Sequence, residues 1–245
     1  GHDLIIIHGL FGMSDNWNSL GKQFAKYCKV HLIDLRNHGR SPHSTDFNYE
    51  VMCGDVLEYM EDNNIEKPII LGHSLGGKVA MKFAFTYPDK IEKLIVADIA
   101  PRKYNTDFHK NLLASLYKLP LEDFSKREEI DTLLANTFED RGMRLFLMKN
   151  LYRNEDKEFA WRFNIESLLD TIENIQEADF ITGNCAIPTH FLRGGNSDYI
   201  NSTDELIINK HFSDFSIATI DGAGHWLHAE NPERFYDEVM GFCLL

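Results

Sequence analysis

Short apolar runs recur along the chain and alternate with longer stretches in which apolar residues return at helical spacing. The short runs predict buried β-strands at 3–8, 29–33, 68–71, 91–97, 187–192 and 216–220. The longer stretches predict helices at about 15–27, 49–62, 75–86, 203–211 and 232–242, the first capped by Ser14 or Asp15 and the last opened by Pro232. This alternation predicts an α/β fold, with a mostly parallel, doubly wound sheet between two helical layers.

One long interval breaks the alternation between the strand at 91–97 and the strand at 187–192. Leucines and phenylalanines recur within it at helical spacing. We therefore predict a core formed by 1–100 and 187–245, and a helical cap formed by 101–186, which we call the cap segment. An insertion at the carboxyl ends of parallel strands would cover the ligand site of such a sheet. The alternative is a second helical layer with no role in substrate choice.

Composition narrows the functional class. The 245 residues suffice for one α/β domain, and a net charge of −13 disfavours nucleic acid and anionic membrane as partners. No apolar run approaches the roughly 18 residues of a membrane span. The four cysteines lack C-x-x-C spacing and are typical of free thiols in a reducing compartment. We expect a cytoplasmic monomer or homodimer; an organelle-targeting segment upstream of Gly1 would lie outside this sequence.

The most informative motif is Gly-His-Ser-Leu-Gly at 72–76, where an apolar strand passes into a helix. A serine on such a sharp turn exposes its hydroxyl, and the glycines let neighbouring backbone pass close by. The backbone N–H of Leu75 begins the helix and would face negative charge that forms on a bound carbonyl. We interpret Ser74 as a nucleophile; the alternative is a turn that serves packing only.

A serine hydroxyl needs a base within hydrogen-bond reach, and that base needs an orienting acid. The chain has eleven histidines, but His225 alone lies in a glycine-rich loop directly after the last predicted strand. We therefore interpret His225 as the base. Hydrolysis is then expected to fall on the acid side, where a protonated imidazole cannot accept the serine proton.

Four further motifs accompany the serine motif, and the last three of them in combination are more specific than it is. They are His-Gly-Leu-Phe-Gly at 8–12, Arg-Asn-His-Gly at 36–39, Gly-Gly-Asn-Ser at 194–197 and Gly-His-Trp-Leu-His-Ala-Glu at 224–230. With these motifs the chain resembles the α/β-hydrolase superfamily and, more narrowly, the small esterases of the YbfF type and their mitochondrial eukaryotic relatives. The resemblance runs nearly end to end and is weakest at about 103–153.

The resemblance implies an oxyanion hole formed by the backbone N–H groups of Leu75 and Leu10, with Phe11 as the alternative to Leu10. It also implies that the cap is inserted after the sixth strand of the family's sheet, which here is the strand at 91–97. His8 could be a second base, but we favour a role in bracing its loop. Arg36 could anchor an anionic substrate group, but we favour a structural role within its loop.

Two aspartates compete for the role of the acid. Most α/β-hydrolases place the acid after the strand that follows the cap, where Asp198 lies. The YbfF-type pattern instead places a serine there and an aspartate one strand earlier, and Ser197 and Asp98 match those places. We therefore predict Asp98 as the acid and Ser197 as an auxiliary hydrogen-bond partner, with Asp198 as the alternative.

The predicted function is that of a serine hydrolase. The resemblance implies carboxylic esters with short to medium acyl chains, and acyl-thioesters are a second substrate class that it leaves open. Trp161, Trp226 and Phe11 are the predicted substrate-binding residues. Non-ester chemistry on the same triad (a C–C bond hydrolase, a lyase or a cofactor-free haloperoxidase) is one alternative, and a non-catalytic ligand receptor is another.

Neither a metal site nor a cofactor is predicted. His225 and His228 are spaced i, i+3, but no third ligand accompanies them. No G-x-G-x-x-G motif follows a strand, and the glycines at 72, 76 and 77 frame a serine instead.

Overall fold

Six parallel strands form the central sheet of the protein, whose computed structural model describes all 245 residues. The strands of the chain are β1 (Asp3–Ile7), β2 (Lys29–Ile33), β3 (Ile69–His73), β4 (Lys93–Ala97), β5 (Leu151–Arg153), β6 (Phe159–Trp161), β7 (Thr189–Gly194) and β8 (Phe215–Ile220). The sheet has the order β2-β1-β3-β4-β7-β8, and β5 and β6 form a separate antiparallel hairpin. Every neighbouring pair in the six-stranded sheet is parallel, as the strand–helix alternation predicted.

Helices cover both faces of this sheet. They are α1 (Asn18–Phe24), α2 (Tyr49–Asp62), α3 (Leu75–Thr86), α4 (Asp107–Tyr117), α5 (Arg127–Ala135), α6 (Arg141–Met148), α7 (Ile165–Thr171), α8 (Asp204–His211), α9 (Leu227–Glu230) and α10 (Pro232–Cys243). Successive side chains of β1 point to opposite faces, because the side-chain period of a strand is two residues. Leu4 and Ile6 pack in one core with residues of α1 and α10, while Ile5 and Ile7 pack in the other with residues of α2 and α3. The doubly wound prediction is confirmed.

Some predicted bounds differ from the structure. The helix predicted at 15–27 is a 3-10 turn, Ser14–Trp17, followed by the short helix α1. Neither Ser14 nor Asp15 caps it: the N-cap residue is Met13, whose N–H donates to Asn16 Oδ1 at 2.8 Å. The Asp15 carboxylate pairs with Arg40 instead. Pro232 opens α10 as predicted, and its N-cap is the side chain of Asn231.

The cap segment contains α4, α5, α6 and α7 together with the hairpin β5–β6, which the sequence pattern did not predict. It follows β4, the strand predicted at 91–97, which is the fourth strand of this chain and corresponds to the sixth in the family's count. Its buried leucines, among them Leu112, Leu116 and Leu168, join the same core as α2 and α3. No helix of the protein combines the length and the apolar character needed to cross a bilayer.

The carboxyl ends of the parallel strands bring the predicted functional residues to one edge of the sheet. This edge is where open α/β sheets bind their ligands. Directly after the strands follow His8 (β1), Ser74 (β3), Asp98 (β4), Ser197 (β7) and His225 (β8). The loop after β1 and the start of α3 touch, and the site is built where they meet.

Candidate active site

Ser74 occupies a sharp turn between β3 and α3. Its φ is 52°, in the left-handed region that non-glycine residues adopt at a cost. Two glycines make the turn possible. A Cβ on Gly72 would lie 2.2 Å from the carbonyl oxygen of Gly76, and a Cβ on Gly76 would lie 2.3 Å from that of Ile7. Only glycine at both positions therefore lets α3 start this close to β3 and β1.

A continuous series of hydrogen bonds joins Ser74, His225 and Asp98. His225 Nε2 lies 3.0 Å from Ser74 Oγ, and His225 Nδ1 lies 2.7 Å from Asp98 Oδ2. Because a carboxylate only accepts hydrogen bonds, Nδ1 carries the proton and Nε2 is free to accept from the serine hydroxyl. This is the arrangement in which an imidazole can take a proton from serine.

Asp98 is the carboxylate that the structure brings to His225. Its side chain is fully buried, and it accepts two further hydrogen bonds, from Gly194 N at 3.0 Å and from Ser197 Oγ at 2.5 Å. A buried carboxylate is tolerated when its oxygens are satisfied in this way. Asp198 is exposed and forms no hydrogen bond with His225. Ser197 lies where an auxiliary partner of Asp98 was predicted.

Two residues that sequence reasoning missed hold His225 in place. The ring of Tyr199 stacks on the imidazole, with centroids 3.8 Å apart and an interplanar angle of 18°. His73 donates from Nε2 to the carbonyl oxygen of His225 at 2.7 Å. Burial, with His228 and His225 close by, lowers the pKa of His73 well below its ordinary value, so His73 stays neutral. His73 was visible in the serine motif, but no pattern links it to a loop 152 residues away.

Two backbone N–H groups next to Ser74 are free to bind an oxyanion. Leu75 is the first residue of α3, so its N–H has no partner within the helix. Neither the N–H of Leu10 nor that of the alternative, Phe11, has an acceptor in the protein, but only Leu10 lines both cavities at Ser74. A Cβ on Gly9 would lie 3.2 Å from Ser74 Cβ, which shows how closely the loop after β1 approaches the serine. Leu10 and Leu75 both line the cavity beside Ser74.

His8 and Arg36 have the structural roles that the sequence favoured. Leu35 N donates to His8 Nε2 at 3.0 Å, so the proton of this ring is on Nδ1, which donates to Gly9 O at 2.8 Å. Burial lowers the pKa of His8, which keeps the ring neutral. Arg36 donates two hydrogen bonds of 2.6 Å to the carboxylate of Asp55.

Two cavities meet at Ser74. The first, which we call the cationic cavity, has a volume of about 260 Å³, and its lining includes Leu75, Lys78, Arg102 and Tyr104. The second, which we call the apolar cavity, has a volume of about 200 Å³, and its lining includes Phe11, Leu112, Phe146, Leu147, His225 and Trp226. Leu10, Ser74, His109 and Tyr199 line both. The serine therefore lies at the junction of two different environments.

The three predicted substrate-binding residues lie in different places in the structure. Phe11 and Trp226 line the apolar cavity. Trp161 lines neither cavity, so the structure does not bring it together with the other two. It belongs to the hairpin β5–β6, where it pairs with Leu151 and stacks on Phe163 with ring centroids 5.3 Å apart. The hairpin fixes Trp161 as a packing residue.

His109 on α4 is a further residue that the sequence did not single out. It is half-buried, and its Nδ1 is buried without a partner in the protein. Burial, with His225 nearby, lowers the pKa of His109 to about 4, so the ring is neutral near pH 7. A neutral imidazole at the junction of the two cavities can exchange a hydrogen bond with a bound substrate.

The other candidates for chemistry are packing residues. His228 stacks on Trp17 with ring centroids 4.2 Å apart, and burial lowers its pKa to about 3. No group of three or more His, Cys, Asp or Glu side chains is arranged to hold a metal ion. All four cysteines are buried free thiols.

Comparison with known proteins places the chain among characterised relatives. Residues 4–232 match the family described as alpha/beta hydrolase fold. The chain is 34% identical to the sn-1-specific diacylglycerol lipase ABHD11 of Mus musculus, over 98% of this chain and 80% of that protein. It is 31% identical to Esterase YbfF of Escherichia coli, over 94% of this chain and 88% of that protein.

A solved structure supports the same relationship. The structure of a marine microorganism esterase superposes with a TM-score of 0.95 at 44% sequence identity. The match covers 99% of this chain and 95% of that chain.

Proposed function

The chain belongs to the alpha/beta hydrolase fold family, and from that premise we propose that it is a serine hydrolase of carboxylic esters. The observation that carries the proposal is the hydrogen-bonded series from Asp98 through His225 to Ser74, with distances of 2.7 and 3.0 Å. The names of the relatives, esterase and lipase, support ester hydrolysis as the reaction type.

In the proposed acylation step, Ser74 Oγ attacks the carbonyl carbon of the ester while His225 Nε2 takes its proton. The imidazolium that forms is stabilised by the buried carboxylate of Asp98. The negative charge on the carbonyl oxygen is held by the N–H groups of Leu75 and Leu10. When the tetrahedral intermediate collapses, His225 gives its proton to the leaving alkoxide, and the acyl group remains on Ser74.

Deacylation repeats these steps with water in place of serine. His225 removes a proton from the attacking water, and the same two N–H groups hold the second oxyanion. His225 then returns the proton to Ser74 Oγ, and the carboxylic acid leaves. The reaction needs only the groups that the chain itself supplies.

The cap segment is proposed to shape the substrate site and to exclude water from it. His109 and Leu112 from α4 and Phe146 from α6 reach the cavities at Ser74. Exclusion of water strengthens the electrostatic interactions within a site. Short to medium acyl chains are the proposed substrates, because side chains of the cap segment and the sheet edge bound cavities of about 260 and 200 Å³ beside Ser74.

The proposed reaction can be tested with a panel of acyl esters and acyl-thioesters alongside a β-diketone. We expect turnover of esters that is lost when His225 is replaced. Turnover of the β-diketone alone would favour C–C bond hydrolysis on the same triad. Binding of esters without turnover would favour a ligand receptor.

We predict that Phe146→Ala shifts the substrate preference toward longer or branched alkyl groups. Phe146 lines the apolar cavity and packs against Trp226, with ring centroids 5.4 Å apart. Each methylene that the widened cavity can bury is worth about 0.8 kcal/mol, or about fourfold in kcat/KM. The measurement is kcat/KM across esters whose alkyl chain is lengthened stepwise.

Trp161→Ala is the matched control for this prediction. Trp161 lies in the same segment but outside both cavities, so its loss should leave the chain-length profile as in the wild type. A profile that changes in Trp161→Ala but not in Phe146→Ala would contradict the position given to the apolar cavity in substrate choice.

A further inference from the structure

We infer that the cationic cavity binds a carboxylate at the far end of the acyl group, so that the preferred substrates are monoesters of short dicarboxylic acids. This inference rests on the proposed ester hydrolysis at Ser74 and names the substrate class for it. It is drawn from Lys78 and Arg102, two cations that the proposed mechanism does not use.

Lys78 is a buried cation without a counter-ion. It lies on α3 with 2% of its surface exposed, and it forms no salt bridge with any carboxylate. Its Nζ donates to the carbonyl oxygens of Gln176 and Glu177 at 3.1 and 2.9 Å. An ammonium group has three N–H donors, so one remains for a ligand in the cavity that Lys78 lines. A buried charge without a partner is costly, and an anion in the cavity would offset that cost.

Arg102 adds a second cation to the same cavity. Its Nε donates to the buried carboxylate of Asp204 at 2.6 Å, and its Nη1 donates to Lys103 O at 3.3 Å. Its Nη2 has no acceptor in the protein, although the guanidinium group is fixed over the ring of Tyr104 at 3.8 Å. The cavity therefore offers free N–H donors from two cations, one on Lys78 and three on Arg102, and these can bind the two oxygens of a carboxylate.

The phenols of Tyr49 and Tyr104 cannot serve this purpose, because they are already hydrogen-bonded. Tyr49 Oη donates to Ile175 O at 2.6 Å, and Tyr104 Oη donates to Tyr199 O at 2.5 Å. The Nζ of Lys78 lies 5.7 and 5.2 Å from the centroids of these two rings. The two rings therefore hold the ammonium group of Lys78 in place. The groups that can bind a ligand carboxylate are Lys78 and Arg102.

The positive charges of Lys78 and Arg102 repel each other. Burial, and next the charge of Arg102, lower the pKa of Lys78 to about 7. A carboxylate bound between the two side chains would raise the pKa of Lys78 again, because an opposite charge nearby favours the charged form of the lysine. Asp198 is a carboxylate on the lining of this cavity, and it is exposed.

The position of His225 determines which part of the substrate enters the cationic cavity. His225 must reach the leaving oxygen to protonate it, and His225 and Trp226 line the apolar cavity but not the cationic one. The leaving alcohol therefore lies on the apolar side, and the acyl group extends into the cationic cavity. Lys78 follows Ser74 by four residues, which is a rise of about 6 Å along α3 and suits a short acyl chain.

The test compares two esters of the same length that differ in charge. One is the monohexyl ester of adipic acid, and the other is the hexyl ester of adipic acid monoamide, in which a neutral carboxamide replaces the carboxylate. We expect the wild type to prefer the carboxylate ester by about tenfold or more in kcat/KM, because hydrogen bonds to charged groups are the stronger ones. Equal rates, or a preference for the amide, would overturn the inference.

Two variants test the roles given to Lys78 and Asp198 in this cavity. In Lys78→Met the ratio of the two kcat/KM values should fall severalfold, because only Arg102 remains to bind the carboxylate, and this ratio does not depend on how much of the variant is folded. In Asp198→Asn the ratio should rise about two- to threefold, because a repelling charge leaves the lining. Because Asp198 is exposed, this variant keeps the test informative if Lys78→Met fails to fold. A ratio that does not rise in Asp198→Asn, or that stays at the wild-type value in Lys78→Met, would count against the inference.

The failure of this inference can be distinguished from the failure of the proposed function. Hydrolysis of 4-nitrophenyl acetate without a preference for the carboxylate ester would overturn the inference alone. No hydrolysis of 4-nitrophenyl acetate or of either adipic ester would overturn the proposed function and the inference with it.

Discussion

Replacing Ser74 with alanine is expected to lower kcat for ester hydrolysis by about five to six orders of magnitude, the range seen when a serine hydrolase loses its nucleophile. Without Oγ no acyl-enzyme can form. The N–H groups of Leu75 and Leu10 remain, so a weak rate above that of water should persist. The measurement is single-turnover and steady-state hydrolysis of an activated ester by the purified variant.

Ser202→Ala provides the matched control. Ser202 is exposed and lines neither cavity, so the same change there should leave kcat within about twofold of the wild type, as is usual for surface substitutions. A Ser74→Ala variant that is folded and retains more than a few per cent of wild-type kcat would show that another group attacks the ester.

Replacing Asp98 with asparagine is expected to cost about ten-thousandfold in kcat, as in the serine-protease precedent. The carboxylate accepts the Nδ1–H of His225 at 2.7 Å and thereby leaves Nε2 unprotonated for the serine. An amide can donate to Nδ1, which favours the tautomer with the proton on Nε2. That tautomer cannot accept the proton of Ser74 Oγ. The measurement is kcat on one ester after both folding and affinity for an ester analogue have been checked.

Asp198→Asn is the matched control variant for this experiment. Asp198 belongs to the loop after β7, the alternative position predicted for the acid from the sequence, but it is exposed and forms no hydrogen bond with His225. Its loss should cost far less than the loss of Asp98. If Asp198→Asn lost nearly all of its kcat while Asp98→Asn kept most of it, the acid would be Asp198 and not Asp98.

Strained backbone coincides with the proposed catalytic groups. Ser74 and Asp98 both have φ values of 52°, and Phe11 in the loop after β1 has a φ of 61°. Such conformations persist only where the surrounding structure fixes them. Here the hydrogen bonds Ser74 N to Ala97 O at 2.9 Å and Asp98 N to Leu192 O at 2.7 Å tie the ends of β3, β4 and β7 together. The sheet itself therefore holds the two side chains at the distances that His225 requires.

Local sequence was sufficient to predict the sheet and the serine turn. Apolar runs such as that of β1 can only be buried strands at this length, and the glycines around Ser74 require close backbone approach. Which aspartate meets His225 was harder to predict, because both follow neighbouring strands at the same edge of the sheet. The strained turn at Asp98, which aims its side chain at His225, has no signature in the sequence.

The cap segment shows where local sequence is insufficient. The hairpin β5–β6 has strands of three residues each, too short for a periodic pattern, and its pairing removes Trp161 from the site. His109 and Tyr199 come from separate segments that only the tertiary fold brings to Ser74. Lys78 was visible directly after the serine motif, but its partners lie about a hundred residues later in the chain, at Gln176 and Glu177.

The most direct measurement is peptide mapping after reaction with a fluorophosphonate, which labels an activated serine hydroxyl covalently. We predict one added mass on the peptide that contains Ser74, abolished in Ser74→Ala and slowed strongly in Asp98→Asn. A label on any other residue, or ester hydrolysis that continues at the original rate in wild-type protein fully labelled on Ser74, would contradict the assignment of Ser74 as the nucleophile.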